Sequence, residues 1–352
     1  MSISEAMELL KIGEAIHGSQ KEKEVLNFIK HHAKGREIHV NTKEWIYSCK
    51  VTLNGRDIGA TLMPYSKGSV KGKIGGNIHA FRFPDHPFKI KDLYAVAKDN
   101  GADAVIFYEE GKTRRIGISG DLPALSMSFR PEGEIEIDAQ SSFKDSQSSI
   151  YEVTLQEGDE YVVVSAHYDH WLTGFHDNLF SVAVLLSLKK NLSSIKGKRG
   201  LKLVFFPSEE GPRCCTGSLQ YDVGNVSSAI VLDSLFPKRV VFSSVPELWS
   251  LSFESEIPLK RIEMPTPFSD GWSFISRGVP AITLYNDDMI PLYHSDADLP
   301  VQGDQEYFDL VVKEVTRLVK HLINHDVKME NKLIPDYVNL TSQFVLSNDI
   351  PK

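Results

Sequence analysis

The sequence predicts an α/β fold: a mainly parallel, mixed sheet flanked by helices and interrupted by a smaller, mostly β domain. Three observations carry that prediction. From residue 147 onward, short apolar runs alternate with helical patterns, the order expected of strands linked by helical crossovers. Between residues 45 and 146 the texture is instead a series of short β-prone runs cut by turn residues, Asn54-Gly55 the clearest of them. The apolar runs of the later region also end repeatedly on carboxylates and imidazoles, which gathers polar groups along one rim of a sheet. We therefore assign 1–44 and 147–352 to one domain in two segments and 45–146 to an inserted domain.

Residues 3–16 and 20–34 read as amphipathic helices, Leu9 and Ile12 lining the first and Val25, Leu26 and Ile29 the second. Gly18-Ser19 separates them; Ser19 suits an N-cap, and Glu22 three residues on completes a capping box. A short strand is expected over 37–40. In the insertion, runs at 46–53, 58–63, 74–79, 104–108, 115–118 and 124–128 read as strands and 91–100 as a helix. Residues 139–148, AQSSFKDSQS, read as a polar linker. Beyond it, strands are expected at 161–165, 201–206, 229–232, 240–243 and 281–285. The intervening helices are expected at 178–192, 216–223, 246–254, 271–277 and 306–325. The polar tail from 329 is left unplaced.

A formal net charge of −8 leaves no basic excess to neutralise phosphates, which argues against nucleic-acid binding. No apolar run approaches the roughly 18 residues of a membrane span. The N-terminal stretch, with Glu5, Glu8 and Glu14, reads as a helix rather than a signal peptide. Cysteines number three, and the adjacent Cys214 and Cys215 are poorly placed to bridge each other, so they read as small packing residues. No disulfide framework is expected, and the default compartment is the cytoplasm. Oligomeric state is left open, a homo-oligomer included.

The chemistry gathers around Tyr161–Ser181, YVVVSAHYDHWLTGFHDNLFS. A strand buried on both faces runs into His167, Asp169, His170, His176 and Asp177, and a helix follows at once. Later runs deliver Glu209 and Glu210 (KLVFFPSEEG), then Asp233 (AIVLDS), and a loop after the last strand brings His294. Two imidazoles with carboxylates at Asp177, Glu210 and Asp233 suit a pair of borderline divalent ions bridged by one carboxylate. Such pairs sit about 3.5–4 Å apart in aminopeptidases and phosphatases. Glu209 is left over, placed as a general base. Asp177 and Asp233 would equally suit turn or N-cap positions, and His294 a hydrogen-bonded loop.

These motifs resemble the zinc-dependent aminopeptidases of the M28 family: AHYD (166–169), DN (177–178), SEEG (208–211) with GS (217–218), Asp233 and YHSDAD (293–298), in that order. The resemblance covers about 1–44 and 147–325, and it implies a zinc exopeptidase-like, phosphorylase/hydrolase-like architecture. It implies that Asp177 bridges two zinc ions, His167 and Asp233 completing one site and Glu210 and His294 the other. Glu209 would be the general base, working on a water activated between the ions, and Asp169 would accept from the His167 ring. His170 and His176 are expected beside or behind the ligands. A cis peptide after the bridging aspartate, here Asp177–Asn178, is common in the family. The implied substrates are peptides with a free N-terminus, whose amine the ions or carboxylates such as Asp270, Asp287 and Asp288 would hold. The chain departs from the family in the bulky GFHDNLFSV around Asp177, where Phe175 and Phe180 are expected to bear on substrate choice. Within the insertion, VKGKIGG (70–76), GADAVIFY (101–108) and LPALSMS (122–128) are similar to the protease-associated domain. Two other readings keep this fold: a glutaminyl-cyclase-like acyltransferase with a single zinc, and a non-catalytic receptor or scaffold. Metal content separates the three, at two, one and no ions per chain.

Overall fold

A computed structural model describes residues 3–330, with 119 and 212 excepted; the tail over 331–352 lies outside the described residues. The strands in chain order are β1 Arg36–Leu53, β2 Arg56–Ile58, β3 Thr61–Leu62, β4 Gly68–Lys73, β5 Ile78–Arg82, β6 Ala104–Tyr108, β7 Ala124–Met127 and β8 Glu134–Gln156. They continue with β9 Tyr161–His167, β10 Gly200–Phe206, β11 Val226–Leu232, β12 Val240–Ser244, β13 Leu259–Glu263 and β14 Ala281–Tyr285. The α-helices are α1 Ser4–Leu10, α2 Gln20–His32, α3 Ile90–Asp99, α4 Phe180–Asn191, α5 Thr216–Leu219, α6 Asp270–Ile275 and α7 Asp304–Leu322.

The large mixed sheet runs β13-β12-β14-β11-β9-β10-β8-β1-β2, with β4 also on β8. Its centre, β10-β9-β11-β14, is parallel throughout, so the carboxyl ends of these four strands share one rim. Every residue of β9 is buried, as its unbroken apolar run requires of a strand covered on both faces. Strands β4, GSVKGK, and β13, LKRIE, lie where the sequence reading expected none; β13 sits at the sheet edge, where charge rather than apolar pattern is the rule. Helix α4 is buried from Phe180 to Leu188. Its ring at Phe180 lies 5.6 Å from Phe308 and 6.1 Å from Tyr307 of α7. Phe175 and Phe180, expected near the substrate, are therefore core residues: α7 covers the helix start, and neither ring is exposed.

The polar-linker reading of 139–148 is corrected. Those residues lie inside β8 and pair antiparallel with β1 along its whole length, Arg36 opposite Glu152 and Leu53 opposite Ile135. No residue of β8 over 140–147 is buried, although Trp45 opposite Phe143 on β1 is, so no hydrophobic alternation marks this part of β8 as strand. Asn54 (φ 49°) and Gly55 (φ 77°) then close the expected two-residue hairpin from β1 into β2. A second, four-stranded sheet, β3-β7-β6-β5, lies within the inserted stretch with α3 against it.

Insertion and main sheet share a seam. Trp45, Leu62 and Ile106 pack in one cluster with Ile16 and Trp171. His17, fully buried there, donates from Nδ1 to the Lys43 carbonyl and accepts the Tyr65 hydroxyl on Nε2 at 3.0 Å, the pattern of a neutral imidazole. Burial lowers its pKa from 6.5 to about 4.

Two predictions follow from this packing. Phe180→Ala removes a fully enclosed ring and is expected to cost about 3–5 kcal/mol, read as a lower urea midpoint. For His17 the folded pKa lies below the unfolded one, so its contribution is intact above pH 6.5 and falls as the pH drops towards 4. By pH 5 the loss from this group is roughly 2 kcal/mol, and His17→Gln should flatten that part of the stability–pH curve.

Candidate metal centre

Each side chain singled out by pattern emerges from the shared rim. His167 is the last residue of β9; Glu209 and Glu210 follow β10; Asp233 follows β11; His294 lies on the loop after β14. Asp177 sits in an irregular turn, Phe175–Leu179, and the Asp177–Asn178 peptide is cis. Ser208 (φ 54°), Ser234 (φ 47°) and His294 (φ 50°) all take left-handed backbone, a concentration of non-glycine strain of the kind found at functional sites.

Asp177 stands between the two histidines. Its Oδ1 is 3.4 Å from His167 Nε2, and its Oδ2 is 3.4 Å from His294 Nε2. His167 Nε2 is also 3.6 Å from Asp233, and His294 Nε2 2.9 Å from Glu210. Both Nε2 atoms are buried, and none of these approaches is aligned as a hydrogen bond. Buried ring nitrogens left without a hydrogen-bond partner and facing carboxylates suit an ion between them. The ligand atoms of His167, Asp177 and Asp233 lie within 4.8 Å of one another, as do those of Asp177, Glu210 and His294. Glu209 sits beside them: with His167 and Glu210 it forms a further group of the same span.

The protein supplies strong fields here. Burial pushes the Glu209 carboxyl well above its usual range, and its carboxylate neighbours add to the rise although His167 opposes it. Burial raises Glu210 to about 7 against the pull of His294. Burial works against the His294 charge, yet Glu210 and Asp177 outweigh it and lift the ring to about 10. Burial would raise Asp177 too, but the two imidazoles hold it below the usual carboxylate range. Carboxylates packed this closely call for positive charge among them, which divalent cations would supply.

The outer supports are specific. His167 Nδ1 donates to the main-chain carbonyl of Asp169 at 3.0 Å, whereas the Asp169 carboxylate stands 3.7 Å away. That carboxylate instead accepts the Glu209 and Glu210 amides at 2.9 and 3.0 Å. Glu22 accepts the Ser208 amide at 3.0 Å, so two buried carboxylates hold three successive amides of the SEEG turn. The expected capping box is thereby half-formed: Ser19 accepts the Glu22 amide, while the Glu22 side chain reaches Gly18 and Ser208.

His176 lies behind Asp177, bonded to Asp298 at 2.7 Å and Asp304 at 3.0 Å. Burial opposes its charge, but these carboxylates lift it to about 9. Asp298 also accepts the Asp177 amide at 3.1 Å. His170 is buried apart from the ligands, its amide bonded to Ala15.

His294 is held from the insertion: Nδ1 donates to the Arg115 carbonyl at 3.0 Å, and the His294 carbonyl accepts the Arg115 amide at 2.8 Å. The Arg114 guanidinium donates to the carbonyls of Ile290, Pro291 and Tyr293 while forked onto Glu109. No pattern in the sequence pointed to Arg114 or Arg115; Glu22 was visible only as a capping-box residue and Asp298 only as part of YHSDAD. Cys214 and Cys215, expected as unbridged packing residues, are joined to each other, their sulfurs 3.4 and 3.6 Å from Glu209 Oε1. Asp287 and Asp288 are bound to Lys260, and Asp287 to Arg261 as well, which leaves Asp270 as the one of these three carboxylates that is buried and free of a salt bridge among the described residues.

Residues 150–319 match the model of Peptidase family M28. No curated protein matches in sequence. A zinc aminopeptidase from Bacillus subtilis has a similar structure, at 17% identity and TM-score 0.71, over 92% of this chain and 96% of that one. An aminopeptidase from Aneurinibacillus sp. strain AM-1 aligns at 17% identity and TM-score 0.63, over 93% and 95% of the two chains. A glutaminyl cyclase from Fimbriiglobus ruber aligns over 91% and 93% at 13% identity and TM-score 0.50. At these identities the shared feature is the fold. The match over 150–319, the rim geometry and the common architecture agree: the segment that carries the candidate ligands is similar to peptidase family M28.

Proposed function

We propose that the protein is a metal-dependent aminopeptidase that releases N-terminal residues from peptides with two zinc ions. The observation that carries this reading is the sharing of Asp177 between two ligand triads, one through His167 and one through His294. A single-zinc acyltransferase has no need of the second triad. When bound, the ions would polarise the scissile carbonyl and acidify water. His167, Asp177 and Asp233 would hold one, and Asp177, Glu210 and His294 the other.

The chain's own residues do the rest. Glu209, buried beside the triads, takes the proton of the attacking water and returns it to the leaving amine. Its raised proton affinity suits that exchange better than an exposed carboxylate would. Asp169 and Glu22 keep the Glu209 backbone in register through the amides of 208–210. Asp169 also orients His167 through its carbonyl, so that Nε2 faces Asp177. The buried carboxylate of Asp270 is a candidate partner for the substrate amine.

Metal analysis of the purified protein should find two zinc ions per chain, and their removal by a chelator should abolish release of N-terminal residues; a single ion with full activity would overturn the paired site. Glu209→Gln should keep both ions and lose about 10²- to 10⁴-fold in kcat. Arg114→Ala loosens the loop that carries His294 and should weaken zinc binding about tenfold or more, measured by competition with a chromophoric chelator.

A further inference from the structure

With Phe175 and Phe180 buried in the core, the surroundings of a substrate are made by other residues. A cavity of about 300 Å³ lies over the acidic floor formed by Asp177, Glu209, Glu210 and Asp233. Its outer wall joins two parts of the chain. Phe88, in the short turn Pro87–Lys89 ahead of α3, faces Phe268 of the loop before α6, with ring centroids 5.7 Å apart at 35°. Phe88 also meets Tyr293 edge-on at 6.2 Å and 78°, and Tyr293 stacks on His294 at 3.6 Å. The rings thus run in contact from the candidate ligand His294 to the mouth of the cavity.

Phe88 and Phe268 are each 43% exposed. Half-exposed aromatic rings on the wall of a concave site are apolar surface left for a ligand to cover. The charge around them points the same way. Arg261, the arginine of this wall, is already bound by Asp287, Glu263 and the Tyr285 hydroxyl, so it has little charge to offer an acidic side chain. At about 300 Å³ the cavity suits one residue rather than an extended chain.

We propose that Phe88 is a specificity-determining residue: with Phe268 and Tyr293 it forms an aromatic wall that receives a bulky apolar side chain on the substrate's N-terminal residue. The inference rests on the aminopeptidase reading and adds that the inserted stretch, not the turn around Asp177, sets the preference.

The test compares phenylalanyl, leucyl, alanyl and glutamyl p-nitroanilides with wild type, Phe88→Ala and Phe88→Leu, and measures L-phenylalanine and L-alanine binding by calorimetry in the same zinc-loaded proteins. Wild type should favour phenylalanyl and leucyl over alanyl substrate by about tenfold or more in kcat/KM and turn over the glutamyl substrate least. Phe88→Ala should lose about tenfold on the bulky substrates and less than twofold on the alanyl one, with unchanged zinc content, and Phe88→Leu should recover part of the loss. An unaltered phenylalanyl-to-alanyl ratio in Phe88→Ala overturns the proposal. If no anilide is cleaved while L-phenylalanine binding still weakens about tenfold in Phe88→Ala, the wall stands and the peptidase reading falls. Absence of both turnover and Phe88-dependent binding removes both.

Discussion

The carboxylate of Asp177 is shared by two imidazoles, one oxygen towards each, and most of the surrounding structure serves that arrangement. Asp177, Glu209, Glu210, Asp233 and Asp270 crowd one rim of a sheet, three of them buried and Glu210 and Asp233 nearly so. Buried carboxylates at such density are tolerable only beside compensating positive charge. Divalent ions between the imidazoles and the carboxylates would provide it. Behind Asp177 a second charged layer, His176 between Asp298 and Asp304, fixes the backbone that presents the shared carboxylate. The fold thus places a balanced ionic cluster behind an acidic one.

The inserted stretch is part of this construction. His294 owes its ring orientation to the Arg115 carbonyl, and the loop carrying it is gripped by Arg114 through three carbonyls. Arg115 in turn is forked onto Glu14 of the N-terminal segment, so three distant parts of the chain meet at one ligand. A domain merely tethered to the main sheet would present no such buried arginines.

What could be read from residues alone follows from burial. Strands β9, β10, β11, β12 and β14 lie at the apolar runs that announced them, because strands buried on both faces must be apolar throughout. The polar groups that end those runs converge because parallel strands put their carboxyl ends together. The rest was hidden for equally physical reasons. Residues 140–147 of β8 have no buried member and so look like linker. The supports of His294 and Glu209 are main-chain carbonyls and amides, which leave no mark on composition. The bulky residues around Asp177 drew attention as departures, but their side chains point into the core beneath α7, where volume rather than chemistry is selected.

The ladder between β1 and β8 is unbroken over 18 residues and carries the chain from the main sheet into the insertion without a loop at the crossing. A hinge needs a few residues free to change φ and ψ, and a paired strand offers none. The two crossings between the main sheet and the inserted stretch therefore offer no hinge of their own, and each passes as continuous strand.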